Sequence, residues 1–116
     1  MASRGRGAKQ KGASFEREIA DFLSKALKIE FKRGLGQARA GGKEIADVTC
    51  KELPQIHFEL KRQKRPNIKA AYAQACNDAP SKLKIIITKQ DREDTLVTME
   101  LSEWLELFKA YVDGVA

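Results

Sequence analysis

The sequence predicts an α/β fold in which a mixed central sheet is flanked by helices. Residues 56–61 alternate apolar and polar side chains, which is the period of a half-buried strand. Residues 83–88 contain three consecutive isoleucines and are typical of a buried strand. Residues 68–75 between them repeat apolar side chains at helical spacing, and a helix that joins two strands favours a parallel crossover.

The composition is that of one globular domain, with 42% hydrophobic and 33% charged residues. No apolar run approaches the roughly 20 residues of a membrane span. The N-terminus has no apolar signal-peptide core, which predicts an intracellular, cytoplasmic protein. Two cysteines and one histidine make a poor zinc site.

Charge is distributed unevenly along the chain. Residues 1–90 contain 20 Lys and Arg against 9 Asp and Glu, whereas residues 91–116 contain 2 against 7. A basic surface suits a polyanionic partner. Residues 1–13, which have four cations and no acid, are predicted to be a flexible basic arm ahead of a single domain over residues 14–116. The arm would either follow phosphates or only keep the protein soluble.

A first helix is predicted over residues 15–27, capped by Ser14. Glu16 lies at the margin of its apolar face, where it either serves a site or only benefits from the positive helix N-terminus. The predicted apolar stripe consists of Phe15, Ile19, Phe22, Leu23 and Ala26.

A short strand over residues 29–33 is predicted next, followed by a glycine-rich basic loop over residues 34–43. Small residues would let this loop approach phosphates closely. The loop leads into Asp47, which opens a second short strand over residues 47–50.

A candidate site forms if residues 47–50 and 56–61 pair as a hairpin, because Asp47 and Glu59 then come together. His57, Glu59 and Lys61 share one face of the strand. Two carboxylates beside an ammonium suit a hard divalent cation and phosphodiester cleavage. Spacing alone also allows an ordinary Glu–Lys pair on a solvated face. His57 would carry a proton, contact DNA or simply be exposed.

The remaining elements follow in the order helix, strand, strand, helix. Pro66 and Asn67 are predicted to start the second helix, and Pro80 to end it. Strands are predicted over residues 83–88 and 95–101, the latter at an edge. Ser102 is predicted to cap a last helix, whose apolar side holds Trp104, Leu105, Phe108, Tyr111 and Val112.

The ordered motifs resemble the PD-(D/E)xK nuclease superfamily, most closely archaeal-type and phage Holliday-junction resolvases. Residues 11–18 resemble that family's KGxxxER helix opening, and residues 59–61 (Glu-Leu-Lys) its ExK element, after a glycine-rich loop that ends in Asp47. Gln74 resembles a glutamine found on the following helix. The resemblance implies a restriction-endonuclease-like αβββαβ core over residues 11–88, extended by a C-terminal strand and helix.

The resemblance also implies the site's chemistry. Asp47 and Glu59 would ligate Mg²⁺ with the backbone carbonyl of Leu60, and Mn²⁺ would substitute for it. Glu16 would complete the metal shell, directly or through water. Lys61 would orient or help deprotonate the attacking water. No nucleotide-binding loop is present, and no nucleotide cofactor is expected.

DNA contacts are expected from basic residues around this site. The family has an arginine before its Asp, and either Arg33 or Arg39 could fill that role. Ala46 stands where the family usually has proline. The other expected DNA contacts are Lys9, Lys11, Arg17, Lys43, Arg62, Lys64, Arg65 and Gln74.

The function expected is that of a Mg²⁺-dependent endonuclease, archaeal, bacterial or phage-encoded. It would cut four-way junctions or other branched DNA as a homodimer, away from membranes. The alternatives are a phage-type nuclease with other or little structural preference, and a non-catalytic DNA-binding module of the same fold.

Overall fold

The computed structural model describes residues 2–34 and 46–115, with side chains described from residue 10 onward. Within these ranges the chain forms three helices and five strands, so the predicted α/β class is confirmed. No described helix is both long and apolar enough to cross a membrane. The elements are α1 (Ala2–Leu27), β1 (Lys32–Arg33), β2 (Val48–Thr49), β3 (Ile56–Arg62), α2 (Ile68–Asp78), β4 (Leu83–Lys89), β5 (Leu96–Thr98) and α3 (Leu101–Val115).

The strands form one sheet in the order β1-β2-β3-β4-β5. β3 and β4 are parallel and joined by α2, whereas the other neighbouring pairs are antiparallel. The predicted hairpin of β2 and β3 is therefore present, and β5 lies at an edge as expected. This topology puts the carboxyl end of β3 beside the start of β2.

Helices cover both faces of β3. On one face, α1 contributes Phe15 and Ile19 to a core with Phe58 and Leu60. On the other, Ala71 and Ala75 of α2 pack against Ile86 of β4. Small side chains allow α2 to lie close to the sheet.

The prediction of a half-buried β3 with an exposed His57 is wrong, because His57 is only 4% exposed and Glu59 only 3%. The alternation correctly assigned each residue to a face. It carried no information about α2, which packs on the face that was expected to meet solvent.

Two predictions about α1 are also wrong. The helix begins at Ala2 instead of Phe15, so residues 2–13 are helical and Ser14 is not its cap. Arg, Lys, Gln and Ala favour helix, and they continue α1 through this segment despite its glycines. Phe22 is 65% exposed because the packed face centres on Phe15, Ile19 and Leu23. The division of the chain at residue 13 stays a prediction.

The sequence predicted the N-terminal cap of α2 correctly but not that of α3. Asn67 caps α2 as predicted, and its side chain accepts a hydrogen bond from the Ala70 N–H at 3.0 Å. At α3 the cap is Glu100 instead of Ser102. The Glu100 carboxylate accepts from the Ser102 N–H at 3.0 Å and the Glu103 N–H at 3.2 Å. A carboxylate there also interacts favourably with the helix dipole.

Candidate active site

The hairpin register places Asp47 opposite Glu59. Val48 pairs with Phe58 across the antiparallel β2–β3 ladder, so the residues before and after them face each other. The Asp47 N–H donates to the Phe58 carbonyl at 3.2 Å. The Leu60 N–H donates to Asp47 Oδ2 at 2.8 Å, which fixes the Asp47 carboxylate against β3.

Glu59 is a buried carboxylate with a cationic and a polar partner. Its Oε1 lies 3.1 Å from His57 Nε2, and its Oε2 lies 3.7 Å from Lys61 Nζ. Because an ionised carboxylate only accepts hydrogen bonds, this contact is a hydrogen bond when His57 Nε2 carries the hydrogen. The Lys61 side chain is 29% exposed and reaches solvent from this pair. The three side chains on one face of β3 therefore form a continuous polar line.

The Asp47 carboxyl lies where negative charge is unfavourable. The pKa of Asp47 is raised from 3.8 to about 6. Burial is the largest cause, the charges of Glu59 and Glu16 add to it, and the Leu60 N–H and Lys61 oppose it. Three acidic groups thus face two cationic side chains, Lys61 and Arg33, which leaves the region short of positive charge. A divalent cation would supply that charge, and carboxylate oxygens are the ligands that Mg²⁺ and Mn²⁺ prefer. The residues present fit such an ion.

Glu16 and Arg33 form an ion pair beside this region. Glu16 Oε1 accepts from Arg33 Nε at 2.7 Å, and the Glu16 side chain is 19% exposed. Arg33 pairs with Val48 in the β1–β2 ladder, next to Asp47. Of the two candidate arginines, Arg33 therefore lies near the carboxylates, whereas Arg39 lies outside the described residues.

A second group of metal-ligating atoms shares Glu59. Among the described residues, His57, Glu59 and Asp78 place ligand atoms within 4.8 Å of one another. A cleft of about 470 Å³ is lined by His57 and Asp78. A nitrogen ligand suits Mn²⁺ or Zn²⁺ better than Mg²⁺. The sequence did not predict that Asp78 joins this group. Asp78 is the last residue of α2, and its position near His57 depends on the length of the crossover between β3 and β4.

The predicted DNA-contacting residues lie in different surroundings. Lys11 pairs with Asp91 at 3.1 Å, and Arg62 Nε lies 3.6 Å from the same carboxylate, too far for a hydrogen bond. The Lys11 ammonium holds the pKa of Asp91 below its usual value. Lys64 and Arg65 are exposed in the segment after β3. Arg17 is exposed on α1 and Gln74 is half-buried on α2, whereas Lys43 and the Lys9 side chain lie outside the described part of the chain.

The comparisons with known proteins identify the family of this chain. Residues 7–113 match the family described as "Phage putative PDDEXK endonuclease". Neither a curated protein nor a solved structure matches the chain. The match covers most of the sequence and includes Asp47, Glu59 and Lys61. The chain therefore belongs to the family described as phage putative PDDEXK endonuclease.

Proposed function

We propose that this protein is a divalent-metal-dependent endonuclease that cuts branched DNA, with Holliday junctions as its preferred substrate. The observation that carries the proposal is the juxtaposition of Asp47 and Glu59 on paired strands, with Lys61 beside Glu59. Family membership supports nuclease chemistry. The order of motifs, which resembles that of resolvases and their restriction-endonuclease-like core, supports the branched substrate.

Asp47 and Glu59 would hold Mg²⁺, or Mn²⁺ in its place, with the Leu60 carbonyl as a further ligand and Glu16 linked directly or through water. The bound ion would polarise the phosphate and lower the pKa of a water. The donation from the Leu60 N–H orients Asp47 before any ion arrives. The N–H and C=O of a paired strand residue point to the same side, so the Leu60 carbonyl lies on the Asp47 side of β3.

Lys61 would act on the phosphate and the attacking water. Its ammonium is held near Glu59 and is still partly exposed, so it can meet a phosphate oxygen and stabilise developing negative charge. His57 would position Glu59 by donating to Oε1, which leaves Oε2 free of that bond. Arg33 would neutralise Glu16 or contact the DNA backbone, as would Arg17 on α1.

Symmetric nicks in two strands need two active sites, and a twofold dimer supplies them. Lys64 and Arg65 are exposed and directly follow the end of β3 that carries the site. At this position they would contact phosphates. The proposed enzyme is therefore a homodimer that cuts junctions.

The test compares a labelled four-way junction, a flap, a single strand and a linear duplex of related sequence, in Mg²⁺, with wild type and Asp47→Asn. We expect paired nicks in the junction, faster than cleavage of linear duplex, and no nicks by the variant although it still binds. Equal cleavage of all substrates would replace the resolvase assignment by a nuclease with little structural preference. Binding without cleavage by wild type, in Mg²⁺ and in Mn²⁺, would indicate a non-catalytic DNA-binding module.

A further inference from the structure

α3 is attached to the rest of the protein through its polar side. Glu103 Oε1 accepts from the Lys84 N–H and Glu103 Oε2 from Lys84 Nζ, both at 2.8 Å. Glu103 and Glu106 also line a cleft with residues 80–83 at the start of β4. An amphipathic helix of a globular protein normally turns its apolar side to the core, so this orientation is the reverse of the usual one.

The apolar side of α3 therefore faces outward. α3 has no buried residue among those described, and each of its large apolar side chains keeps more than a third of its surface exposed. At about 100° per residue these side chains fall on one continuous arc of roughly 160°. They are each 37–72% exposed: Leu101, Trp104, Leu105, Leu107, Phe108, Tyr111, Val112 and Val115.

The spacing along this face is that of a helix that packs on another helix. Steps of three and four residues alternate through Leu101, Trp104, Phe108, Tyr111 and Val115, which is the a/d pattern of paired helices. Trp104 and Phe108 already stack, with ring centroids 4.8 Å apart. The positions that flank this seam carry no charge, because the charged residues of α3 lie on its other side: Glu103, Glu106, Lys109 and Asp113.

We propose that α3 packs antiparallel against α3 of a second copy of this chain, across a twofold axis near Phe108. An apolar seam without flanking charges is complementary to itself, because a second copy brings no like charges together. The acidic polar side of α3 argues against a lipid surface, since interfacial helices are typically rich in Lys and Arg there.

The exposed area is sufficient for a stable dimer. Leu96 and Val97 of the edge strand β5 are 56% and 63% exposed and directly precede α3. With the eight side chains of α3 they expose on the order of 1,000 Å², compared with the roughly 800 Å² per partner that a stable interface buries. This inference rests on the apolar face alone. It goes beyond the proposed function, which needs two copies but does not indicate the surface between them.

The test is sedimentation velocity of the free protein over a range of concentrations, with Phe108→Glu and the matched control Phe22→Glu. Phe22 is 65% exposed on α1, outside the proposed interface. We expect wild type and Phe22→Glu to dimerise alike, and Phe108→Glu to be monomeric with at least ~100-fold weaker association, because the change buries two like charges at the axis. Circular dichroism would show whether both variants are folded.

A second measurement needs no variant. Trp104 is the single tryptophan of the chain, so its emission should shift to the red when the wild type is diluted through the dimer dissociation constant. A wild type that stays monomeric, or a folded Phe108→Glu that dimerises normally, would overturn the proposal. So would loss of the dimer in Phe22→Glu. DNA cleavage is measured separately, so failure of the interface and failure of the nuclease assignment can be distinguished.

Discussion

The region around β3 and the helix α3 depart from the usual distribution of polar and apolar residues in opposite directions. Around β3 the protein buries ionisable groups: Glu59 is 3% exposed and His57 4%. Along α3 it exposes apolar surface, with Tyr111 64% and Leu101 72% exposed. Buried charges and exposed apolar patches are the informative exceptions in a fold. The contrast suggests that each region is completed by another species, a cation with DNA at β3 and an apolar helix at α3.

The largest expected effect concerns the buried carboxylates. Glu59→Gln should slow cleavage on the order of 100-fold or more, because it removes charge from the proposed metal site and weakens the contact with Lys61. Single-turnover cleavage rates would measure this, with Glu18→Gln on the exposed side of α1 as control. If Glu59→Gln cleaved DNA as fast as the control, the buried charge of Glu59 would not contribute to catalysis.

A second prediction tests how α3 is held. Glu103→Gln should lower the free energy of unfolding by about 2–3 kcal/mol, because buried Lys84 loses its carboxylate partner. Chemical denaturation would measure the loss, and exposed Glu106→Gln serves as the control. Equal stabilities would show that the contact between Glu103 and Lys84 does not stabilise the attachment of α3.

A third prediction concerns the stability of the active-site region. The pKa of Asp47 is about 6 in the folded protein, above its ordinary value of 3.8, so between these two pH values the native state binds a proton that the unfolded chain has lost. The contribution of Asp47 to the free energy of unfolding is therefore fully present below about pH 4 and is lost as the pH rises through 6. Asp47→Asn should be more stable by about 1–2 kcal/mol at pH 7.5, a figure reduced for the partial exposure of the group.

Thermal denaturation from pH 4 to pH 8 would measure this difference. The advantage of Asp47→Asn should shrink toward pH 4, and Mg²⁺ should stabilise wild type more than the variant. A variant that is less stable at pH 7.5 would show that the hydrogen bond from Leu60 outweighs the effect of burial.

The smallest expected effect concerns exposed charge near the site. Replacing both Lys64 and Arg65 by alanine should weaken DNA binding about 10-fold at low salt. The slope of the logarithm of the binding constant against the logarithm of salt concentration should fall by the amount that corresponds to about two phosphate contacts. The control is Lys51→Ala with Lys82→Ala, two exposed cations at the opposite end of β3. If both pairs had equal effects on binding, the DNA would not be directed to the active-site end.

The sequence predicted the juxtaposition of Asp47 and Glu59 because both determinants are local: a period-2 strand and a short hairpin. It did not predict that His57 is buried, since alternation assigns faces but does not show what covers them. Asp78 joins His57 only through the crossover of α2. For α3, the helical period located the apolar side but not its direction, which is set by the contact between Glu103 and Lys84.

The most direct test of the account is Mn²⁺ binding by the free protein, measured by calorimetry for wild type and Asp47→Asn. Mn²⁺ accepts oxygen and nitrogen ligands, so it reports on the Asp47–Glu59 region whether or not His57 contributes. The account predicts a site in wild type whose Kd rises at least ~10-fold in the variant. Equal binding by the two proteins, or no binding by wild type at millimolar Mn²⁺, would contradict the claim that Asp47 and Glu59 form a metal centre.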